Sequence, residues 1–206
     1  MWLNIIACFL CAYLLGNLNG SVCISALMHD DVRSHGSGNA GLTNFIRNYG
    51  VSRALLVILI DAGKAVVACL TGGLLLSPFG YWQEGVMLAG LAVLLGHNFP
   101  ALLGFRGGKG ILSGLFVALV ADWRIALILL AVFAVAYFAT RYVSLGSVLG
   151  AAAFGISFAL FYAGNLFVMA SGILMGGLVI FMHRGNIVRL LNGTERKTDL
   201  FKKSAN

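Results

Sequence analysis

The sequence predicts an all-α integral membrane protein with about seven transmembrane helices, an N-terminus on the outer side of the membrane and a C-terminus in the cytoplasm. Of its 206 residues, 60% are hydrophobic and only 10% are charged, and the mean hydropathy is +0.93. A water-soluble domain of this composition would expose large apolar patches. The polar residues are concentrated in three glycine-rich segments, which we expect to form cytoplasmic loops, some of them re-entrant.

Seven apolar runs are candidate spans, because crossing about 30 Å of hydrocarbon takes roughly 20 helical residues. They are 3–28, 54–76, 85–100, 111–121, 125–140, 143–163 and 166–182. The first run has no basic residue before it and is too long for a signal-peptide core, so we expect a retained helix. The fourth run is short, and 111–140 could instead form one interrupted helix.

The distribution of basic residues favours seven spans over six. With seven, twelve of the fourteen Lys and Arg residues lie on one side, while Lys64 lies within a span and Arg124 faces the other side. Basic loops are typically cytoplasmic. Trp2, Trp82 and Trp123 would then lie at the outer interface, which suits an amphipathic ring.

We expect one membrane-embedded domain covering 1–206, in which 183–206 forms a basic cytoplasmic C-terminal segment. The four cysteines lie in apolar runs and lack a second ligand pair. Neither a metal site nor a disulfide framework is therefore expected.

The first polar segment, 36–47, reads GSGNAGLTNFIR. Its glycines allow positive φ and a concave nest of amide groups before a helix, which is an arrangement that binds anions. Arg47 adds a guanidinium fork suited to phosphate. The candidate ligands here are Gly36, Ser37, Gly38, Asn39, Thr43, Asn44 and Arg47. The alternative is an ordinary glycine-rich turn between helices.

The second polar segment, 96–110, reads GHNFPALLGFRGGKG. Its spacing differs from a Walker A loop, which disfavours nucleotide hydrolysis. The candidate ligands are His97, Asn98, Gly107, Gly108, Lys109 and Gly110. A single interfacial histidine such as His97 can act as a base or as a structural hydrogen-bond partner.

The third polar segment, 183–195, reads HRGNIVRLLNGTE. His183, Asn186 and Arg189 recur every three residues and so share one broad side of a helix. Glu195 could orient an arginine or accept a hydrogen bond from a substrate hydroxyl. Alternatively, Arg184 and Arg189 anchor lipid headgroups. With seven spans, all three polar segments face the cytoplasm and could form one site.

Asp61 and Lys64 lie one turn apart inside the second span. Charges there are costly, so we expect a structural ion pair that faces the bundle interior. Contact with substrate is left open.

Absent motifs narrow the chemistry. The sequence has seven Asp and Glu residues and no paired carboxylates in the apolar runs, which disfavours phosphatidyltransferases that bind Mg²⁺ between aspartates. It also lacks the HxxxxD arrangement of acyl-CoA-dependent glycerolipid acyltransferases. The sequence therefore supports a site that binds phosphate groups and has neither a metal nor a nucleotide pocket.

In order and spacing, the three polar segments resemble the signatures GSGNxGxTNxxR, GHxFP…GGKG and HxxNIxRLxxGxE of the bacterial acyl-phosphate:glycerol-3-phosphate acyltransferases, the PlsY family. The resemblance implies a multi-pass enzyme of the bacterial plasma (inner) membrane, with its active site at the cytoplasmic face. It further implies transfer of a fatty acyl group from acyl phosphate to the 1-hydroxyl of glycerol 3-phosphate, giving lysophosphatidic acid and phosphate for phospholipid biosynthesis.

The same resemblance implies no cofactor, no nucleic-acid partner, contact with membrane lipid, and a functional hand-over from the enzyme that makes acyl phosphate. The implied catalytic residues are Ser37, Arg47, His97, Lys109 and Asn186. Leu42 and Ala65 depart from the usual pattern without removing a donor, and could alter packing and acyl-chain preference.

Three mechanisms remain open from the sequence. Acyl phosphate is already activated, so direct attack needs positioning and charge stabilisation more than a strong base. His97 could polarise the hydroxyl, or a phosphate oxygen could take its proton; Ser37 as a covalent nucleophile ranks third. A transporter of a phosphorylated anion is the alternative function, although it predicts polar residues near the bilayer midplane.

Overall fold

A computed structural model describes residues 1–198, and every regular element within that range is helical. The chain divides into two compact units, which separate between Ala121 and Asp122. The end of the predicted C-terminal segment, 199–206, lies outside the described residues.

The first unit contains six α-helices. They are α1 (Trp2–Gly16), α2 (Gly20–Ala26), α3 (Leu42–Tyr49), α4 (Val51–Leu76), α5 (Trp82–Asn98) and α6 (Ile111–Ala121). Short 3₁₀ turns cover Val32–Ser34, Ser77–Phe79 and Ala101–Leu103. The boundaries of α6 are those of the predicted fourth span.

The predicted continuous span 3–28 was wrong in one respect, because α1 and α2 meet at a 44° bend. The break has a local cause: the Asn19 side chain accepts a hydrogen bond from the Val22 amide over 3.0 Å and so caps a new helix. Asn17 donates to the Tyr13 carbonyl over 2.7 Å at the end of the preceding helix.

Helices α1 and α5 approach each other closely through glycines. A Cβ atom at Gly96 would overlap the Tyr13 carbonyl oxygen and the Gly16 backbone. Small residues at helix crossings allow such contact in membrane bundles. This crossing brings the C-terminal end of α5, with His97, beside the break between α1 and α2.

Helix α3 packs on an apolar cluster beneath the first polar segment. The cluster consists of Ile24, Val32, Ala40, Phe45, Ala54 and Val57. Val32 and Phe45 are fully buried within it. Its burial places the polar side of α3 away from α2 and α4.

Within residues 122–198, the second unit contains four α-helices. They are α7 (Trp123–Thr140), α8 (Val143–Phe161), α9 (Leu166–Met182) and α10 (Arg184–Leu191). Asp122 caps α7 by accepting from the Arg124 amide over 3.0 Å. This cap, with extended backbone at Asp122, means that 111–140 forms two helices.

Four helical stretches of the described chain are long and apolar enough to cross a membrane, and six qualify if each bent pair counts as one span. The bent pairs are α1 with α2 and α9 with α10, the latter at 58°. Helix α6 is apolar but shorter. The seven-span count and its sidedness therefore remain predictions.

Candidate active site

Asn44 organises the first polar segment. Its side-chain oxygen accepts from the Ser37 amide over 3.0 Å, and its amide nitrogen donates to the carbonyls of Val32, His35 and Asn39 at 3.0–3.1 Å. The residue is only 3% exposed. In this structure Asn44 shapes the loop, so its predicted contact with an anion would be indirect.

The predicted nest is formed only in part. Gly36 and Gly38 have φ of +60° and +69°, as expected for a glycine nest. The amides of Ser37 and Gly38 are already bonded, however, to Asn44 Oδ1 and to the His35 carbonyl. A ligand at this segment would therefore meet side chains and not a row of unbonded backbone amides. Ser37 and Arg47 are exposed, while Asn39 and Thr43 are half-buried.

The carboxylates next to this segment are bound by donors. Hydrogen bonds from Arg33 lower the pKa of Asp31, and hydrogen bonds from His35 and then Tyr49 lower that of Asp30. Burial, together with the bond to Asp30, raises the pKa of Tyr49 to about 12. These pairings reduce the repulsion that a phosphate would meet here.

The second polar segment folds back over the end of α5. The Gly108 amide donates to the His97 carbonyl over 3.1 Å. Lys109 is half-buried, and Gly107 and Gly110 lie against the backbone and side chain of Asn98. Close backbone approach explains the glycines, because a Cβ atom at Gly108 would overlap His97 Nε2.

Asn98 is the unusual residue of this segment. It is 1% exposed, and neither its amide oxygen nor its nitrogen has a hydrogen-bond partner within residues 1–198. A buried amide without partners is costly unless water or a ligand satisfies it. Asn98 thus fits the predicted ligand role on physical grounds.

The first and second polar segments come together in the first unit. The Arg33 guanidinium donates to the Leu103 carbonyl over 3.1 Å. The Ala40 carbonyl, held by Asn19 over 3.0 Å, lies against Gly108. Arg33 lies just before the first polar segment, and its bond to Leu103 joins residues 70 positions apart.

The predicted pair of Asp61 and Lys64 is confirmed and has more contacts than expected. Lys64 Nζ lies 2.7 Å from Asp61 Oδ1 and donates also to the carbonyls of Gly16 and Leu18. The Gly20 amide donates to Asp61 Oδ1 over 3.1 Å. The pair therefore satisfies backbone groups on both sides of the break between α1 and α2.

Lys64 also contacts His97, with 2.7 Å between Nζ and Nδ1. All three side chains are at least 95% buried. Sequence reasoning missed this contact because it joins residues 33 positions apart. The available signal was the presence of two charges in an apolar helix and a histidine at the end of the next span.

Glu195 organises the third polar segment in the second unit. Its Oε1 accepts from Asn186 over 2.8 Å and from Ser144 over 3.0 Å, and its Oε2 accepts from Arg189 over 2.7 Å. His183, the first residue of this segment, is buried, and its Nδ1 faces the Val179 carbonyl over 2.8 Å. Ser144 was absent from the predicted site. The meeting of this segment with the other two remains a prediction.

Glu195 should make the stability of the second unit pH-dependent. Burial raises the Glu195 pKa, but hydrogen bonds from Asn186, Arg189 and Ser144 outweigh it, so the pKa lies below the ordinary 4.5. Because the pKa is lower in the folded state, ionised Glu195 stabilises the fold. This contribution is fully present above the unfolded-state pKa and is lost as the pH falls through the folded-state pKa.

We expect the midpoint temperature of unfolding in detergent to fall as the pH decreases from the unfolded-state pKa of Glu195 through its folded-state pKa. Glu195→Gln should lower the free energy of unfolding by about 1–3 kcal/mol at neutral pH, because an amide leaves donors unpaired. The variant should also lose this part of the pH dependence. Equal acid sensitivity in both proteins would contradict the assignment.

Comparison with known proteins agrees with this architecture. A family model described as glycerol-3-phosphate acyltransferase matches residues 6–193. The glycerol-3-phosphate acyltransferase of Thermoanaerobacter sp. (strain X514) is 40% identical over 187 residues, covering 90% of this chain and 91% of that protein. That of Finegoldia magna is 39% identical over 197 residues, covering 95% and 97%.

Solved structures show the same likeness. The crystal structure of PlsY, an integral membrane glycerol 3-phosphate acyltransferase, in its glycerol 3-phosphate form matches with a TM-score of 0.85 and 32% identity over 96% of this chain and 99% of that one. Its lysophosphatidic acid form matches with a TM-score of 0.83 and 34% identity, covering 95% and 96%. The fold, the polar segments and the relatives together place this chain in the glycerol-3-phosphate acyltransferase family.

Proposed function

We propose that this protein transfers a fatty acyl group from acyl phosphate to the 1-hydroxyl of sn-glycerol 3-phosphate. The products are 1-acyl-glycerol 3-phosphate (lysophosphatidic acid) and phosphate, which serve phospholipid biosynthesis. The observation that carries the proposal is the meeting of the first and second polar segments around His97, at the end of an apolar helix. Forms of the related PlsY with glycerol 3-phosphate and lysophosphatidic acid support it.

The reaction suits the residues of this site. Arg47 and Lys109 supply positive charge for phosphate oxygens, and a guanidinium can bind two of them at once. Ser37 and Asn98 add neutral hydrogen-bonding groups. The apolar helix surfaces nearby can accommodate an acyl tail while the phosphate head lies at the polar loops.

Catalysis then consists mainly of positioning. The glycerol 1-oxygen attacks the acyl carbon, the bond from that carbon to the phosphate oxygen breaks, and the hydroxyl proton is transferred to a base. Fixed donors around the departing phosphate stabilise the charge that develops on it. Asn186, Arg189 and Glu195 would complete the site if the third polar segment joins the other two.

We place the active site at the cytoplasmic face of the bacterial plasma membrane. The excess of basic residues in the polar segments and the C-terminal segment supports that orientation. A membrane enzyme that uses an acyl phosphate would receive it from the enzyme that forms it, either through the bilayer or by direct hand-over.

The test is phosphate release from palmitoyl phosphate by purified protein in detergent or lipid mesophase, without added metal, CoA or carrier protein. We expect release that depends on glycerol 3-phosphate and is matched by lysophosphatidic acid. Folded protein that forms no lysophosphatidic acid under these conditions would overturn the proposal. A second assay with acyl-CoA in place of palmitoyl phosphate tests the choice of donor, and we expect no product from it.

A further inference from the structure

Lys64 contacts His97 on the side of the ring that faces the break between α1 and α2. We propose that Lys64 is a positioning residue, which donates to His97 Nδ1 so that the imidazole carries its single proton on Nε2. The part of this inference that concerns catalysis rests on the proposed function. The position of the proton can be measured independently.

The contacts of Lys64 support its role as a donor. Besides His97, Nζ faces a carboxylate oxygen of Asp61 and the carbonyl oxygens of Gly16 and Leu18. These oxygens accept hydrogen bonds and donate none. An ammonium supplies three N–H groups, which matches the three closest contacts, to Asp61, Leu18 and His97, while the Gly16 oxygen is the farthest at 3.4 Å. Since two N–H donors cannot share a contact of 2.7 Å, Nδ1 must be the acceptor when Lys64 is an ammonium.

The other ring nitrogen faces the second polar segment. Nε2 lies against Gly108, whose amide bonds to the His97 carbonyl and which immediately precedes Lys109. A proton on Nε2 therefore presents an N–H donor to the loop that is proposed to hold phosphate. In this state His97 can donate to a phosphate oxygen but cannot take the proton of the glycerol hydroxyl.

The role of Asp61 follows from the same geometry. Its Oδ1 lies 3.7 Å from His97 Nδ1, farther than Lys64 Nζ at 2.7 Å. Asp61 thus holds Lys64, and Lys64 in turn orients His97. Replacing Asp61 alone would leave the Lys64 charge buried without its counterion, whereas replacing both residues removes the donor without leaving a charge buried alone.

The direct test is ¹⁵N NMR of histidine-labelled protein in detergent, which distinguishes protonated from unprotonated ring nitrogens. Signals absent from His97→Gln identify His97. His183, whose Nδ1 faces a carbonyl, serves as the internal example of the opposite tautomer. We expect His97 to carry its proton on Nε2 in the unmodified protein.

The double variant Asp61→Asn/Lys64→Met should lose this preference and populate the Nδ1–H form. A proton on Nδ1 in the unmodified protein would overturn the proposal, because an uncharged Lys64 amine would then be the acceptor. An unchanged Nε2–H preference in the double variant would overturn it as well. Neither result depends on whether the protein makes lysophosphatidic acid.

Kinetics provides a second readout, with rates expressed per amount of folded protein. The double variant should lower kcat about tenfold to a hundredfold with little change in KM. The reason is that an Nε2 without its proton no longer donates to the charge that develops on phosphate in the transition state. An unchanged kcat in the double variant would overturn the positioning role. His97→Gln, which keeps an N–H donor but cannot act as a base, should remain far more active than His97→Leu.

Discussion

Replacing Arg47 with alanine is expected to lower kcat by about a hundredfold to a thousandfold, the range found when one preorganised donor to a developing charge is removed. Arg47 lies exposed in the last turn of α3, which packs through Phe45 on the buried cluster. Because this packing also holds α3 in place, we expect the loss in turnover, with rates expressed per amount of folded protein. The measurement is phosphate release that depends on glycerol 3-phosphate.

Two matched variants make this prediction specific. Arg47→Lys should recover only part of the rate, because an ammonium keeps the charge but not the paired donors of a guanidinium. Arg53→Ala removes an exposed arginine from the first turn of α4, outside the polar segments, and should leave turnover near normal. Normal turnover in Arg47→Ala, or an equal loss in Arg53→Ala, would contradict the role given to Arg47.

Replacing Lys64 with methionine is expected to lower the free energy of unfolding by about 3–5 kcal/mol, the cost of leaving one member of a buried ion pair alone. The Asp61 side chain is 3% exposed, so water cannot replace the lost partner. The carbonyls of Gly16 and Leu18 would also lose their donor at the helix break. Unfolding by heat or denaturant in one detergent measures the change.

The double variant Asp61→Asn/Lys64→Met separates charge from packing. Once both charges are gone, no buried ion remains, and much of the lost stability should return. If the double variant unfolds as easily as Lys64→Met, the main loss comes from the helix break and not from the isolated carboxylate. Lys64→Met with unchanged stability would show that the pair does not hold the first unit together.

The helical layout was largely accessible from the sequence. Runs of apolar residues predicted the long helices, and α6 begins and ends at the predicted residues Ile111 and Ala121. Hydropathy works in this way because each apolar side chain adds its transfer free energy independently of its distant neighbours. The break in the first span was missed because Asn17 and Asn19 are too few to interrupt an apolar average.

The donor-rich segments were also recognisable, but the use of each donor was not. Asn44 and Asn98 look alike as residue types, yet Asn44 has four hydrogen bonds inside its own loop and Asn98 has none for its buried amide within residues 1–198. The same holds for Glu195, whose partner Ser144 lies 51 positions away. The residue type determines which hydrogen bonds a side chain can make, and the packing of the helices determines which partner it contacts.

By itself, the sequence determined that this is a helical membrane protein with three segments suited to bind anions. Composition and local spacing can be read from the order of the residues without knowing how the helices pack. Only the tertiary structure decided that Lys64 reaches His97 and that the first and second polar segments meet at Gly108. Hydrogen bonds act over about 3 Å, so their partners are set by how the helices pack and not by how far apart the residues lie in the sequence.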